Sequence, residues 1–134
     1  MRNLQQSPIQ LAVVQVTAME DEIFLLCSAE DGLASIAVYD RSNTGEVKNV
    51  IALPEITALD IVACKASNCV YVLGKKSEVF SVLRITKEEE HQFSISPWIC
   101  DLRTAEKFSI SVTIHGGTLQ MRSLRDSDYR ILPL

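Results

Sequence analysis

At 134 residues with 47% hydrophobic and 22% charged side chains, the chain is long enough for one domain with a real core and too apolar for a disordered segment. A formal net charge of −4 leaves no basic field of the kind that nucleic acid requires. No apolar stretch reaches the roughly 18 residues of a membrane span, and the start lacks the apolar core and cleavage site of a secretory signal, so a cytoplasmic setting away from lipid is expected.

Residues 1–10, with Gln5, Gln6 and Pro8, read as a lead-in or as a lone strand belonging to a further unit. Residues 11–18 form a first expected strand and 22–28 (EIFLLCS) a second, separated by the acidic turn Met19, Glu20, Asp21. A third strand at 35–40 (SIAVYD) is reached through a turn containing Gly32, and a fourth at 47–53 (VKNVIAL) through RSNTGE. Pro54 closes this unit, because proline cannot donate to a strand ladder. The pattern then starts again. DIVAC at 60–64, CVYVLG at 69–74 and VFSVLRIT at 79–86 are rich in β-branched and aromatic residues that suit a pleated surface. Residues 65–68 and 75–78 punctuate them, with Gly74 expected to supply a positive φ. HQFSIS at 91–96 follows the acidic turn 87–90, and Pro97 is expected to end the second unit. A third unit opens with FSISVTIHGGTLQMRSL at 108–124 and stops short of a fourth strand, unless Cys100 to Thr104 is its first strand and 129–134 its last.

Second strands recur about 47 residues apart, setting Ile23, Phe24, Leu25 and Leu26 against Val70, Tyr71, Val72 and Leu73, and against Thr118, Leu119, Gln120 and Met121. Four-stranded units at about 40–50 residues match the period of propeller blades, and no segment carries the 3.6 period of a helical solenoid. The expected fold is therefore all-β, with antiparallel four-stranded blades of a β-propeller, about three in number and forming an incomplete ring (units 11–54, 57–97 and 98–134). Leu25, Val72 and Val82 are expected in the core.

The phrase LDIVACKASNCVYVLGKKSEVFSVLRI, followed downstream by FSISVTIHGGTL, resembles the NHL-type β-propeller repeats of animal proteins. The resemblance extends over 14–134 and is clearest at 60–85 and 110–119. Leu73 and Gly74 stand where many such blades carry an Asp, and the Trp-Asp and Gly-His pairs of WD40 blades are missing. The resemblance implies a non-catalytic scaffold that offers loop faces to a protein or peptide partner. In the ubiquitin-ligase members of the NHL-containing families a RING finger, B-box or coiled coil accompanies the propeller. It also implies an alternative, the six-bladed lactonase or esterase type, whose central metal is held by Asp, Asn or Glu; Asp60, Asn68 and Glu20 are the candidates here. Three blades leave apolar sheet faces uncovered, so the further expected partner is the remaining blades of a longer chain or a second copy closing a six-bladed ring.

Local chemistry points mostly to packing. Cys27, Cys64, Cys69 and Cys100 lack the paired C-x2-C spacing of a zinc site and read as buried thiols. Cys64 and Cys69 have a second reading, a disulfide across a four-residue hairpin. His91 and His115 fall at turns, and no G-x-S-x-G elbow accompanies them. Asp40, Ser42, Thr44 and Gly45 mimic the start of a calcium loop, but Ile51 occupies the position of the bidentate Glu, which makes the segment a turn. Trp98, the only tryptophan, is either an anchor for a partner or packing between units. No catalytic residue, metal ligand set or cofactor is assigned.

Overall fold

The structure is a computed structural model that describes residues 11–65, 67–77, 79–89, 92–103, 108–112, 118–123 and 129–133, the strands alone beyond Trp98. The described residues are all-β. The first sheet contains β1 (Leu11–Met19), β2 (Glu22–Ala29), β3 (Ala34–Asp40) and β4 (Asn43–Ala52), antiparallel and in chain order. The second contains β5 (Thr57–Cys64), β6 (Cys69–Lys76), β7 (Val79–Glu89) and β8 (Gln92–Arg103), again a meander. A third sheet places β10 (Thr118–Ser123) between β9 (Phe108–Val112) and β11 (Tyr129–Pro133).

Local chemistry explains the turns. Between β2 and β3, Gly32 takes φ 87 and its N–H bonds the Ala29 carbonyl at 2.9 Å, so a left-handed residue in the four-residue connection 30–33 realigns the strands. Asp40 Oδ1 accepts from the Ser42 N–H at 2.9 Å and the Ser42 hydroxyl at 2.6 Å, so the segment with calcium-like spacing is a turn stapled by its own aspartate. These two bonds from Ser42 hold the Asp40 carboxyl below the usual carboxylate range.

The sheets lie side by side, joined through their first strands: β5 runs beside β1 and β9 beside β5. The Ala63 N–H donates to Thr17 Oγ1 at 3.1 Å across the first of these seams. One apolar cluster fills the space between the first two sheets, with Phe24, Leu26, Ile36 and Val38 meeting Ile61, Val70, Val72, Leu83 and Ile85. A second cluster, Cys64, Cys69, Tyr71, Leu73, Phe80 and Val82, lies on the opposite face of the second sheet. Each fully buried large aliphatic or aromatic side chain contributes about 1.5–3 kcal/mol relative to exposure, so these two layers dominate the stability.

Several expectations change here. Leu25 is only half-buried, because it alternates away from the shared cluster, whereas Val72 and Val82 are fully buried as expected. Gly74 does not sit in a turn. It lies within β6 opposite Ala58, and a Cβ there would collide with Ile56 Cδ1 and stand 3.3 Å from Ile56 Cβ and Cγ1. The residue is small because the inter-sheet connection crosses it. Pro97 does not end its strand; it pairs with Leu83 inside β8, where an edge position and flanking register shifts tolerate a missing N–H. Residues 100–103 accordingly belong to β8, not to the third sheet. Lys87, Glu88 and Glu89 extend β7 and are no turn. His91 and His115 lie outside the described residues.

The faces of the sheets follow from register. Counted from the hairpin turns, Ile23 and Leu25 of β2 occupy the positions of Val70 and Val72 of β6, and Ala37 and Tyr39 of β3 those of Leu83 and Ile85 of β7. In the third sheet Leu119 and Met121 pair with Val112 and Ile110 of β9, and Gln120 and Arg122 pair with Ser111 and Ser109 of β9 and with Ile131 and Tyr129 of β11.

Candidate functional site

Odd-to-even hairpin turns all fall at one end of the sheets: β1–β2, β3–β4, β5–β6 and β7–β8. The short loops of the first two sheets surround a cleft of about 610 Å³ at this end, walled by Met19, Glu20, Asp21, Glu22, Asp40, Lys48, Asn68, Lys87, Glu88 and Glu89. Two of its backbone positions are left-handed, Glu20 at φ 55 and Asn68 at φ 52. Asparagine tolerates that conformation; glutamate is an unusual choice for it. The Arg41 N–H donates to the Asp21 carbonyl at 2.6 Å and ties the first two loops together.

At the base of the cleft Glu22 is buried, and its Oε2 accepts from Lys48 Nζ at 2.9 Å and Lys87 Nζ at 3.2 Å. Lys48 comes from the last strand of the first sheet and Lys87 from the third strand of the second, so one carboxylate spans both sheets. Charge-assisted bonds of this kind, with all three side chains largely shielded, fix the mutual position of the walls. Nothing in the sequence marks Glu22 out. It opens an apolar strand beside two other acidic residues, and its lysine partners are 26 and 65 positions away.

Six carboxylates and two lysines, both engaged by Glu22, line the cleft, which leaves its rim acidic. Of the three residues considered for a central metal, Glu20 and Asn68 both line this cleft, while Asp60 is buried inside β5 with its Oδ1 accepting from the Ile61 N–H at 2.9 Å. Among the described residues no three His, Cys, Asp or Glu side chains converge as metal ligands do.

The paired cysteines and the tryptophan lie in the second cluster. Cys64 and Cys69 are direct partners across the β5–β6 hairpin, as the spacing predicts, and both are buried free thiols. Burial pushes the Cys69 thiol up, against hydrogen bonds from Tyr71 and Arg84 that pull it down. Burial likewise raises the Tyr71 phenol, and its bond to Cys69 adds to the effect. Arg84 Nε is buried with no hydrogen-bond partner among the described residues. Trp98 is a partly buried member of this cluster and packs on Tyr71 of its own sheet with ring centroids 5.0 Å apart. Cys27 is a free thiol on β2, raised by burial, with its Sγ 3.5 Å from the Leu25 carbonyl.

Comparison with known protein families, with curated proteins and with solved structures finds no match.

Proposed function

We propose that the chain is part of an NHL-type β-propeller acting as a non-catalytic scaffold, with the hairpin end of its first two sheets as the surface that receives a protein or peptide partner. The single observation carrying this reading is the cleft, walled by loops from two sheets whose relative position Glu22 fixes. Loops mounted on a rigid framework are where recognition concentrates. The adjacency of β1 to β5 and of β5 to β9, with four-stranded meanders leading away from the first two, supports the blade reading, because the first strands of propeller blades neighbour one another around the central axis.

The acidic rim selects a basic partner segment, since a complementary charge pattern steers encounter and a like-charged one is repelled. Calorimetric titration with a Lys/Arg-rich peptide and an Asp/Glu-rich peptide of equal length tests this. Binding of the basic peptide alone, weakened by salt and by Asp21→Lys, is expected; equal binding of both peptides, or of neither, overturns it. A calcium arm in the same titration addresses the lactonase-like alternative, which the meeting of Glu20 and Asn68 at the cleft favours. Tight calcium binding abolished by Glu20→Gln would replace the scaffold reading with the enzyme one.

A further inference from the structure

The three cysteines whose side chains are described differ in what faces them across the sheet. Cys27 on β2 pairs with Val13 of β1 and Ser35 of β3, so register sets no thiol opposite it. Cys64 ends β5, Cys69 begins β6, and the two are direct partners in the hairpin. Both side chains lie in the second cluster, so they project from the same face of the sheet. Cys64 is also among the groups that push the Cys69 thiol up, which puts the two sulfurs within each other's field. Packing alone asks nothing of the residue opposite a buried cysteine. A disulfide asks for a second cysteine at this register position and on this face.

Directly opposed residues of an antiparallel pair have Cα atoms about 4.5–5.5 Å apart, inside the range of about 4.4–6.8 Å that a disulfide spans. The hairpin holds this spacing by other means: Asn68 takes φ 52, and its N–H donates to the Lys65 carbonyl at 3.2 Å. We propose that Cys64 and Cys69 are a dithiol–disulfide pair, whose reduced form is the free thiols of the structure and whose oxidant is a low-molecular-weight disulfide such as oxidised glutathione. One cysteine thiolate attacks a sulfur of the glutathione disulfide, forming a mixed disulfide and releasing one glutathione thiolate. The other cysteine thiolate attacks the protein sulfur of that mixed disulfide and expels the second glutathione thiolate. The protein dithiol thereby loses two electrons, the reagent gains them, and the two thiol protons pass to the expelled thiolates. Both cysteines are buried, at 0% and 1% exposure, so exchange waits on opening of this end of the hairpin. The same burial shields the bond once it has formed. The turn that it closes carries Asn68, one wall of the cleft.

The test is to equilibrate the full chain in mixtures of oxidised and reduced glutathione, trap the remaining thiols by alkylation and count them by mass. Two of the four cysteines should be lost together in one step, without retained glutathione, as the buffer becomes more oxidising. Trypsin cuts after Lys65 and so separates Cys64 from Cys69; in the oxidised protein the two peptides should stay joined until a reductant is added. The oxidised form should melt above the reduced one, because the fold already holds the geometry of the bond. Cys64→Ser should abolish the joined peptides and leave Cys69 free or capped by glutathione. Four alkylated thiols at every glutathione ratio would overturn the proposal, as would glutathione retained on both cysteines or a bond that runs instead through Cys27 or Cys100. An oxidised form that melts below the reduced one would overturn it too, since the register would then not fit the bond. If Cys64→Ser fails to fold, the peptide map of the unaltered chain decides alone.

Discussion

β2 and β6 hold the same place in successive sheets, second in order and paired on both sides, and both carry runs of apolar residues. Yet β6 is buried at six consecutive positions from Cys69 to Gly74, while β2 alternates, with Phe24 and Leu26 sealed and Ile23 and Leu25 half-exposed. The sequences of the strands do not explain this; their surroundings do. Among the described residues, the second sheet has a neighbour on each side, and the first has one. Burial in this fold is therefore a property of position in the array, and equivalent substitutions in the two strands should have unequal effects.

The largest expected difference is between Val72→Asp and Leu25→Asp. Val72 is fully buried between the first two sheets, and an unpaired carboxylate there should cost about 4 kcal/mol or more, enough to abolish folding. Leu25→Asp places its charge on the half-exposed face and should fold. Far-UV circular dichroism with a thermal melt reads both; a native-like Val72→Asp protein would show that β6 does not have the register described.

Raising the pH probes the same contrast without mutation. Cys69 and Tyr71 on β6 and Cys27 on β2 all have their acidities lowered by burial. A group whose folded pKa is raised stabilises fully below its unfolded pKa and loses that contribution as pH climbs toward the folded one. For thiols the loss begins near about 8.5 and for the phenol near about 10. Thermal midpoints should fall above these values, and Tyr71→Phe should flatten the upper part of the fall. A fall of unchanged steepness in Tyr71→Phe would assign it to other groups.

Most of the strands were legible because their β-branched runs and turn residues lie close together in sequence, and the repeat gave the hairpins from 11 to 89 to within a few residues. What was not legible depends on the partner of a face. Leu25 and Val72 are indistinguishable as letters, and only the presence of a neighbouring sheet separates them. Glu22 shows the same limit in the site: its two lysines are brought together by the packing of sheets, which no local spacing encodes. Gly74 stands out in the sequence as a turn residue, and it is not one. Its neighbours in sequence suggest a turn, and the residue it makes room for, Ile56, stands 18 positions earlier in the connection between sheets.

Gly74→Ala tests that reason and should cost about 1–3 kcal/mol through overpacking against Ile56. Gly45→Ala, whose Cβ would meet Asn43 Oδ1 at an ordinary 3.6 Å, serves as the control and should shift the melt little. Equal effects at the two glycines would mean that strand propensity, and not the crossing of Ile56, governs both.

The smallest expected effect concerns Glu20, and it has the opposite sign. A left-handed backbone costs a residue with a Cβ about 1–2 kcal/mol, and glycine avoids this at the expense of more freedom in the unfolded chain. Glu20→Gly should therefore stabilise the β1–β2 hairpin by about 1 kcal/mol or less, measured as a rise in the thermal midpoint. The same change removes one carboxylate from the rim of the cleft. If the cleft receives a basic segment, the variant should be more stable and bind the Lys/Arg-rich peptide more weakly, because strain at a loop is retained where the side chain it positions has a use. Stabilisation with unchanged peptide affinity would place the partner's charges elsewhere on the rim, at Asp21, Asp40 or the end of β7.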